Sequence, residues 1–581
     1  MNTTVLENKP VVQAKRTVDP ITLEIVRSSL VMTAEQINAR IIRSAMNVVV
    51  KEMQDCSAAV FDGDGRLLSE SASVPIHLGA IGCCLRTIID HYIPLSEWLD
   101  GDVILTNDPY AGGNSLSSHH TNDVIAYAPV FWEGELVAIT ALTVHHVDMG
   151  SMWMACRGWG VEIEQEGVRF PPLKLVRQGV LDEQLVSVMV NNSRLRHSLD
   201  NDLRAQIFSV TLGKPDIERM FERYGAETMK ACFDELIDYS ERRTREEISQ
   251  FKDGVYIHEE LLLEDGAMGG PYKLAIKITV SGDEMEFDFA GTDPQIRGPI
   301  NAPLSATYAA VYYVMRCVTD PTIPNTEGSR LPFRIVAPPG SLANAQWPAA
   351  VQQRMVVCHS LVDLIMGALQ GCAPDRVMGD SVGCSYNEII ATDLMKGTRV
   401  HFGEVSPGGL GGTAEKDGAS ALSCHLTNCP IPPVEVTEIE SPVLYLQREF
   451  VADSAGAGMH RGGAGIVLSY QVRTDYPQLS YTSQKSKVPP QGVAGGRPGK
   501  SGAWFVNPGT PKEIKLEHAM GDLIPISKGD IVTQYTNGGG GFGDPKDRSL
   551  DEIVHDVKEG FVTVAGAERD YGVKIEPSMI A

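Results

Sequence analysis

The block from Asn107 to Asp148 constrains this chain more than any other stretch. It opens NDPYAGGNSLSSHHTNDVIAYAPVF and closes ELVAITALTVHHVD. Val124–Phe131 and Glu135–His146 are rich in β-branched and aromatic residues, and the Trp132-Glu133-Gly134 break between them predicts an antiparallel hairpin. Centred near Glu133, such a hairpin pairs residues whose numbers sum to about 266, so His120 to Asp123 return beside Thr143 to His146. Cross-strand neighbours lie about 5 Å apart at Cβ, close enough to share one ion. Imidazole beside carboxylate suits a catalytic divalent metal. Four of the 14 histidines fall in this block, which weighs against satisfied polar groups at a sheet edge. Side chains alternate along a strand, so His145 and His146 point to opposite faces. The hairpin alone does not choose between them.

These residues resemble the hydantoinase B/oxoprolinase family, which includes the beta subunits of ATP-dependent hydantoinases and lactamases and the large subunits of acetone and acetophenone carboxylases. In that family NDPYxGGxHxxD is followed by a strand ending His-x-x-Asp-x-Gly. Residue by residue, the resemblance implies His120, Asp123 and His145 as metal ligands, with His146 behind them. The match continues in DPITLEIV (Asp19–Val26), VPIHLGAIG (Val74–Gly82), FAGTDPQIRGPINAP (Phe289–Pro303), DSAGAGMHRGGAGIV (Asp453–Val467) and GGGGFGDPKDR (Gly538–Arg548). Two departures flank the expected metal and weaken any inference about substrate. SMWMACRGWGVEIEQEG (Ser151–Gly167) replaces a Pro-Gly-Ser-Met-Pro type stretch, and NSLSSHHTND (Asn114–Asp123) doubles the histidine and drops a proline.

The resemblance implies an α+β, multi-domain hydantoinase B-like subunit with mixed sheets, helical segments and a Gly-rich β C-terminal part. Expected regions are 19–250 with the metal site, 251–390 of strands and helices, 391–548 rich in Gly and Pro, and a helical tail 549–581. It further implies a division of labour. An ATP-binding hydantoinase A-like partner, in a hetero-oligomer such as (αβ)2, phosphorylates the carbonyl oxygen of a hydantoin, oxoproline or lactam, and this chain then opens the ring at its metal, which is zinc, manganese or iron. The alternative is a ketone carboxylase subunit of the acetone or acetophenone type. Asp108, Asp148, Asp55 and Glu166 are the nearby acids that could orient groups or carry protons.

Composition fits a large enzyme subunit. A net charge of −24 over 581 residues excludes nucleic acid and anionic membrane as natural partners, which demand clustered Lys and Arg. No apolar run approaches the roughly 20 residues of a membrane span, and the polar first 18 residues lack a secretory h-region. The 11 cysteines are scattered without a CxxC pair and read as reduced, cytoplasmic thiols.

Coarse periodicity predicts helices over Ile21–Val50, Lys214–Phe251, Ala306–Asp320, Val356–Gly371 and about Leu550–Gly560, with strand-and-turn structure up to Leu175. Two decoys are set aside. GGRPGKS (Gly495–Ser501) lacks the first Walker glycine, having Ala494 there, and Pro498 removes an amide donor. GDSVG (Gly379–Gly383) follows a helix and turn where a nucleophile elbow needs a strand. The glycine run Asn537–Gly543 reads either as an anion cradle or as a tight turn.

Overall fold

The computed structural model describes residues 18–154, 160–265, 269–393 and 398–580. Residues 1–17, and residues 155–159 of the divergent Ser151–Gly167 stretch, lie outside the described residues. The chain is α+β, built on several open, largely antiparallel sheets.

The first sheet has the order β2-β1-β5-β4-β3-β6-β7, formed by β1 (Cys56–Asp62), β2 (Leu67–Glu70), β3 (Val103–Thr106), β4 (Asp123–Trp132), β5 (Glu135–His145), β6 (Leu173–Arg177) and β7 (Val180–Leu181). Its central strands are buried on both faces. Val124, Ala126, Leu142 and Val144 pack under helices Pro20–Ser44, Arg196–Thr211 and Lys214–Tyr224. The alternating set Ile125, Tyr127, Ile139 and Ala141 packs under helix His77–His91. Helix Pro20–Ser44 starts where Asp19 accepts from the Thr22 amide at 2.9 Å and Pro20 follows, the expected opening of a helix.

Helix His77–His91 corrects the strand-and-turn expectation for this region. Gly79 and Gly82 weaken its helical signal, but Gly79 is required by packing. A Cβ there would meet the Ala309 backbone nitrogen at 2.5 Å, in helix Leu304–Val318. Helices Glu183–Asn191 and Arg196–Thr211 were also not anticipated, and Gly225, at φ 78°, divides the predicted Lys214–Phe251 helix in two.

The central part is the sheet β11-β10-β9-β8, from β8 (Gly254–Leu262), β9 (Tyr272–Ser281), β10 (Glu284–Asp288) and β11 (Phe333–Val336), packed on helices Leu304–Val318 and Met355–Leu369. Both helices start within two residues of their predicted positions. Two further sheets follow, β13-β12-β16-β19 and β14-β15-β20-β17-β18. Their strands are β12 (Ser385–Asp393), β13 (Thr398–Val405), β14 (Val443–Phe450), β15 (Ile466–Val472), β16 (Gln478–Ser483), β17 (Ala503–Val506), β18 (Ile514–Leu516), β19 (Met520–Pro525) and β20 (Ile531–Tyr535). They share a core of Phe402, Tyr470, Tyr481, Trp504 and neighbours. Helix Leu550–Lys558, opened by a Ser549/Glu552 capping box, is followed by short helical segments at Val564–Gly566, Ala567–Tyr571 and Pro577–Ile580.

Between these sheets the glycine-rich segments form a lattice of backbone against backbone. Gly539, Gly540, Gly541 and Phe542 donate to the carbonyls of Gly463, Asp380, Arg497 and His460, while Gly456, Gly412 and Val493 donate to Gly539, Gly540 and Gly541. Gly538–Gly541 have no positive φ; their requirement is space, since a Cβ on each would overlap the carbonyl of Ser454, Leu410, Gln491 or Ala457. Both expectations for this run are therefore corrected. Its amides are committed to carbonyls, so it neither turns tightly nor cradles an anion. Segment Gly495–Ser501 joins the same lattice, and Ser381 of GDSVG is fully buried, accepting from the Gly411 amide. Among the described residues no cysteine is in a disulfide and no helix is long and apolar enough to cross a membrane.

Candidate metal centre

The hairpin of the first sheet turns at Glu133 (φ 50°) and Gly134 (φ 84°), a two-residue connection. A bulge at Val130/Phe131 then shifts the register, so paired numbers sum to 268 beyond it, where 266 was expected. Asp123 consequently lies opposite His145 itself. Both belong to the face under helix His77–His91, together with Asp55, which precedes β1 and whose carbonyl accepts from the His145 amide at 3.2 Å. His146 points the other way. Its Nε2 lies 3.1 Å from Gln206 Oε1, and Gln206 in turn donates to the carbonyls of Val124 and Leu142.

His120, Asp123 and His145 each offer a ligand atom, all within 4.8 Å of one another. His120 Nε2 is 3.2 Å from Asp123 Oδ1, and the His120 and His145 ring centres are 5.1 Å apart. Two metal bonds of about 2.1 Å meeting at roughly 100° place their donor atoms about 3.2 Å apart, so the spacing fits one shared ion. The electrostatics fit as well. Burial pushes the His145 imidazole down to about 3 and that of neighbouring His77 to about 4, keeping both neutral. Burial opposes ionisation of Asp123, yet His120 and Arg354 hold its carboxyl well below the usual carboxylate range. Neutral imidazole and ionised carboxylate are the forms a metal binds.

The cluster opens on a cavity of about 110 Å³ whose walls come from distant parts of the chain: Asp55 and His77, then Arg354 and Met355, then Tyr386, Glu388, His401 and Cys429. Of the four acids singled out in the sequence, the structure brings Asp55 to this cavity. Burial and the Asp123 charge push its carboxyl up to about 7. Asp108 instead accepts from the Tyr110 amide and from Arg169, and Asp148 accepts from the Arg194 amide and guanidinium at 2.6 and 2.7 Å. Glu166 is buried against the loop before helix Met355–Leu369, accepting from the amides of Val351 and Gln352 at 2.9 and 2.8 Å. It fastens the loop that carries Arg354.

Arg354 is the residue the sequence reading missed most clearly. Its Nη2 donates to Asp123 Oδ2 at 3.0 Å, leaving Oδ1 directed at His120. Nothing in the local string VQQRMV marks it. His77 lay in a recognised motif without an assigned role; its Nδ1 is 2.8 Å from Ser57 Oγ, and its Nε2 is 3.8 Å from Asp55.

The two adjacent histidines should separate experimentally. His146→Ala is expected to leave Gln206 Oε1 without its partner and cost about 1–3 kcal/mol of stability while metal content is retained. His145→Ala should lose the metal. Thermal melts together with elemental analysis check this, and loss of metal from both variants would contradict it.

The hairpin thus carries a buried His2Asp cluster that could hold a metal ion, closed over by later parts of a large α+β chain. The sequence matches the hydantoinase B/oxoprolinase family over residues 19–545, and the chain belongs to that family. It is 29% identical to the caprolactamase subunit beta of Pseudomonas jessenii, over 96% of this chain and 97% of that one. The structure of the ATP-dependent caprolactamase from that organism superposes with a TM-score of 0.88 at 27% identity, covering 97% and 98% of the two chains. The chain is also 30% identical, over 91% of its length, to 5-oxoprolinase 1 of Arabidopsis thaliana, of which it spans 42%. A nucleotide-free acetone carboxylase shares the fold, with a TM-score of 0.86 at 18% identity over 96% of this chain and 80% of that one.

Proposed function

We propose that this chain is the ring-opening subunit of a cytoplasmic, ATP-dependent cyclic amide hydrolase. In this reading a divalent ion is held by His120, Asp123 and His145, and an ATP-binding hydantoinase A-like partner delivers a lactam, hydantoin or oxoproline phosphorylated on its carbonyl oxygen. The observation that carries it is the buried His2Asp cluster lining a cavity, in a chain of the same family as a caprolactamase beta subunit. That relative's name supports a partner subunit and an assembly such as (αβ)2.

An amide carbonyl is a poor electrophile, and phosphorylation turns its oxygen into a leaving group. Zinc, manganese and iron(II) all accept this donor set, and any of them would supply Lewis acidity to the reacting oxygen. The chain's own residues do the rest. His120, Asp123 and His145 fix the position of the reaction, and Arg354 holds Asp123 in its orientation. Asp55, facing the same cavity, is placed to hold or pass a proton. Val49, Met53, Val74, Ile76 and Met355 give the cavity an apolar wall suited to a ring's methylenes and limit bulk water.

The test is phosphate release by the chain co-expressed with its ATPase-like partner, across hydantoins, lactams and ketones, with and without bicarbonate. Turnover of a lactam or hydantoin without bicarbonate is expected. Strict dependence on a ketone and bicarbonate would assign the chain to the carboxylase branch, and lactam opening by the isolated chain without ATP would remove the partner from the scheme.

A further inference from the structure

We propose that Arg354 forms an anion subsite in the metal cavity, its guanidinium holding oxygens of a phosphoryl group; the choice of phosphoryl as the anion rests on the functional reading above. Arg354 is only 4% exposed, and its guanidinium presents N–H donors in a fixed planar fork. Nη2 serves Asp123, but the equally buried Nε has no hydrogen-bond partner among the described residues. A buried charged donor left without a partner is costly, and a ligand oxygen would relieve that cost.

Three further features favour an anion there. Arg354 sits at the N-terminus of the 15-residue helix Met355–Leu369, where aligned peptide dipoles add partial positive charge. The segment Gln352–Met355 lines the cavity, so this end of the helix faces the same space as His120 and Asp123. A guanidinium's planar fork of N–H donors matches two oxygens of a tetrahedral anion, which an ammonium cannot reproduce. Glu166, by holding the amides of Val351 and Gln352, sets where that fork stands.

The experiment is calorimetric titration of inorganic phosphate into the full-length, manganese-loaded chain, comparing wild type, Arg354→Lys and Arg354→Met, with manganese affinity measured in parallel. Wild type should bind phosphate, and both variants should bind it about 10- to 100-fold more weakly, as expected for losing a charge-assisted hydrogen bond. Absence of phosphate binding by wild type, or unchanged affinity in metal-loaded variants, overturns the proposal. Should the variants fail to fold, wild-type crystals soaked in phosphate decide. Density within hydrogen-bonding distance of the guanidinium supports the subsite, and phosphate found elsewhere or not at all overturns it. Phosphate affinity does not depend on which ring or ketone is turned over. Arg354-dependent binding without lactam turnover would remove only the functional reading, and the reverse pattern would remove only the subsite.

Discussion

Asp123→Ala is expected to lower divalent-metal affinity by more than about 100-fold and to abolish turnover by the assembled complex. Outer partners of metal ligands alone are worth about 10- to 100-fold, and Asp123 is proposed as a ligand itself. The same substitution should also destabilise the metal-free protein. Asp123 is 1% exposed and Arg354 4%, so removing the carboxylate strands a buried guanidinium, at a cost of about 3–5 kcal/mol. Elemental analysis after dialysis and calorimetric melts of chelated protein read the two effects separately. Retention of one tightly bound metal equivalent would sink the ligand assignment, and an unchanged melt would sink the account of the ion pair.

The second large effect is expected far from the metal. Gly539→Ala should destabilise by more than the about 1–3 kcal/mol of ordinary overpacking, because the added methyl overlaps the Leu410 carbonyl and meets the Gly411 nitrogen at 2.8 Å. Side chains can rotate away from a clash, but a hydrogen-bonded backbone cannot. Gly560→Ala provides the contrast. Gly560 has φ 79° and open space around its missing Cβ, so it should lose only the about 1–2 kcal/mol of left-handed backbone. Thermal midpoints of both variants measure the difference. A Gly539→Ala variant melting with wild type would show that the lattice yields more than its hydrogen bonds suggest.

What could be read from the sequence follows from how local the underlying physics is. The hairpin, its turn and the return of His120–Asp123 beside Thr143–His146 were legible, because strand propensity and period-two alternation act over a few residues, whereas His145 in particular was singled out by the family resemblance. The register was misplaced by two, one step because the turn is centred between Glu133 and Gly134 and one because a bulge at Val130/Phe131 leaves no composition mark. The sorting of His145 from His146 depends on which helices cover which face, and Gln206 lies 60 residues further along. Arg354 was invisible for the same reason, 231 residues from the carboxylate it serves. Helix His77–His91 was misread because its glycines lower local propensity, while the value of Gly79 lies in contact with a helix more than 200 residues away. The glycine run was recognised as special, but for the wrong physical cause: crowding by other strands of backbone is a property of the folded chain alone.

The cavity's walls reach from Val49 to Cys429, with ligands near the front, Arg354 in the middle and His401 and Cys429 late. During synthesis, therefore, the three proposed ligands emerge long before the residues that enclose them. The cavity is complete only when the regions around Arg354 and Cys429 have folded against the hairpin, so tight holding of an ion at the proposed ligands would depend on folding of the chain as far as Cys429.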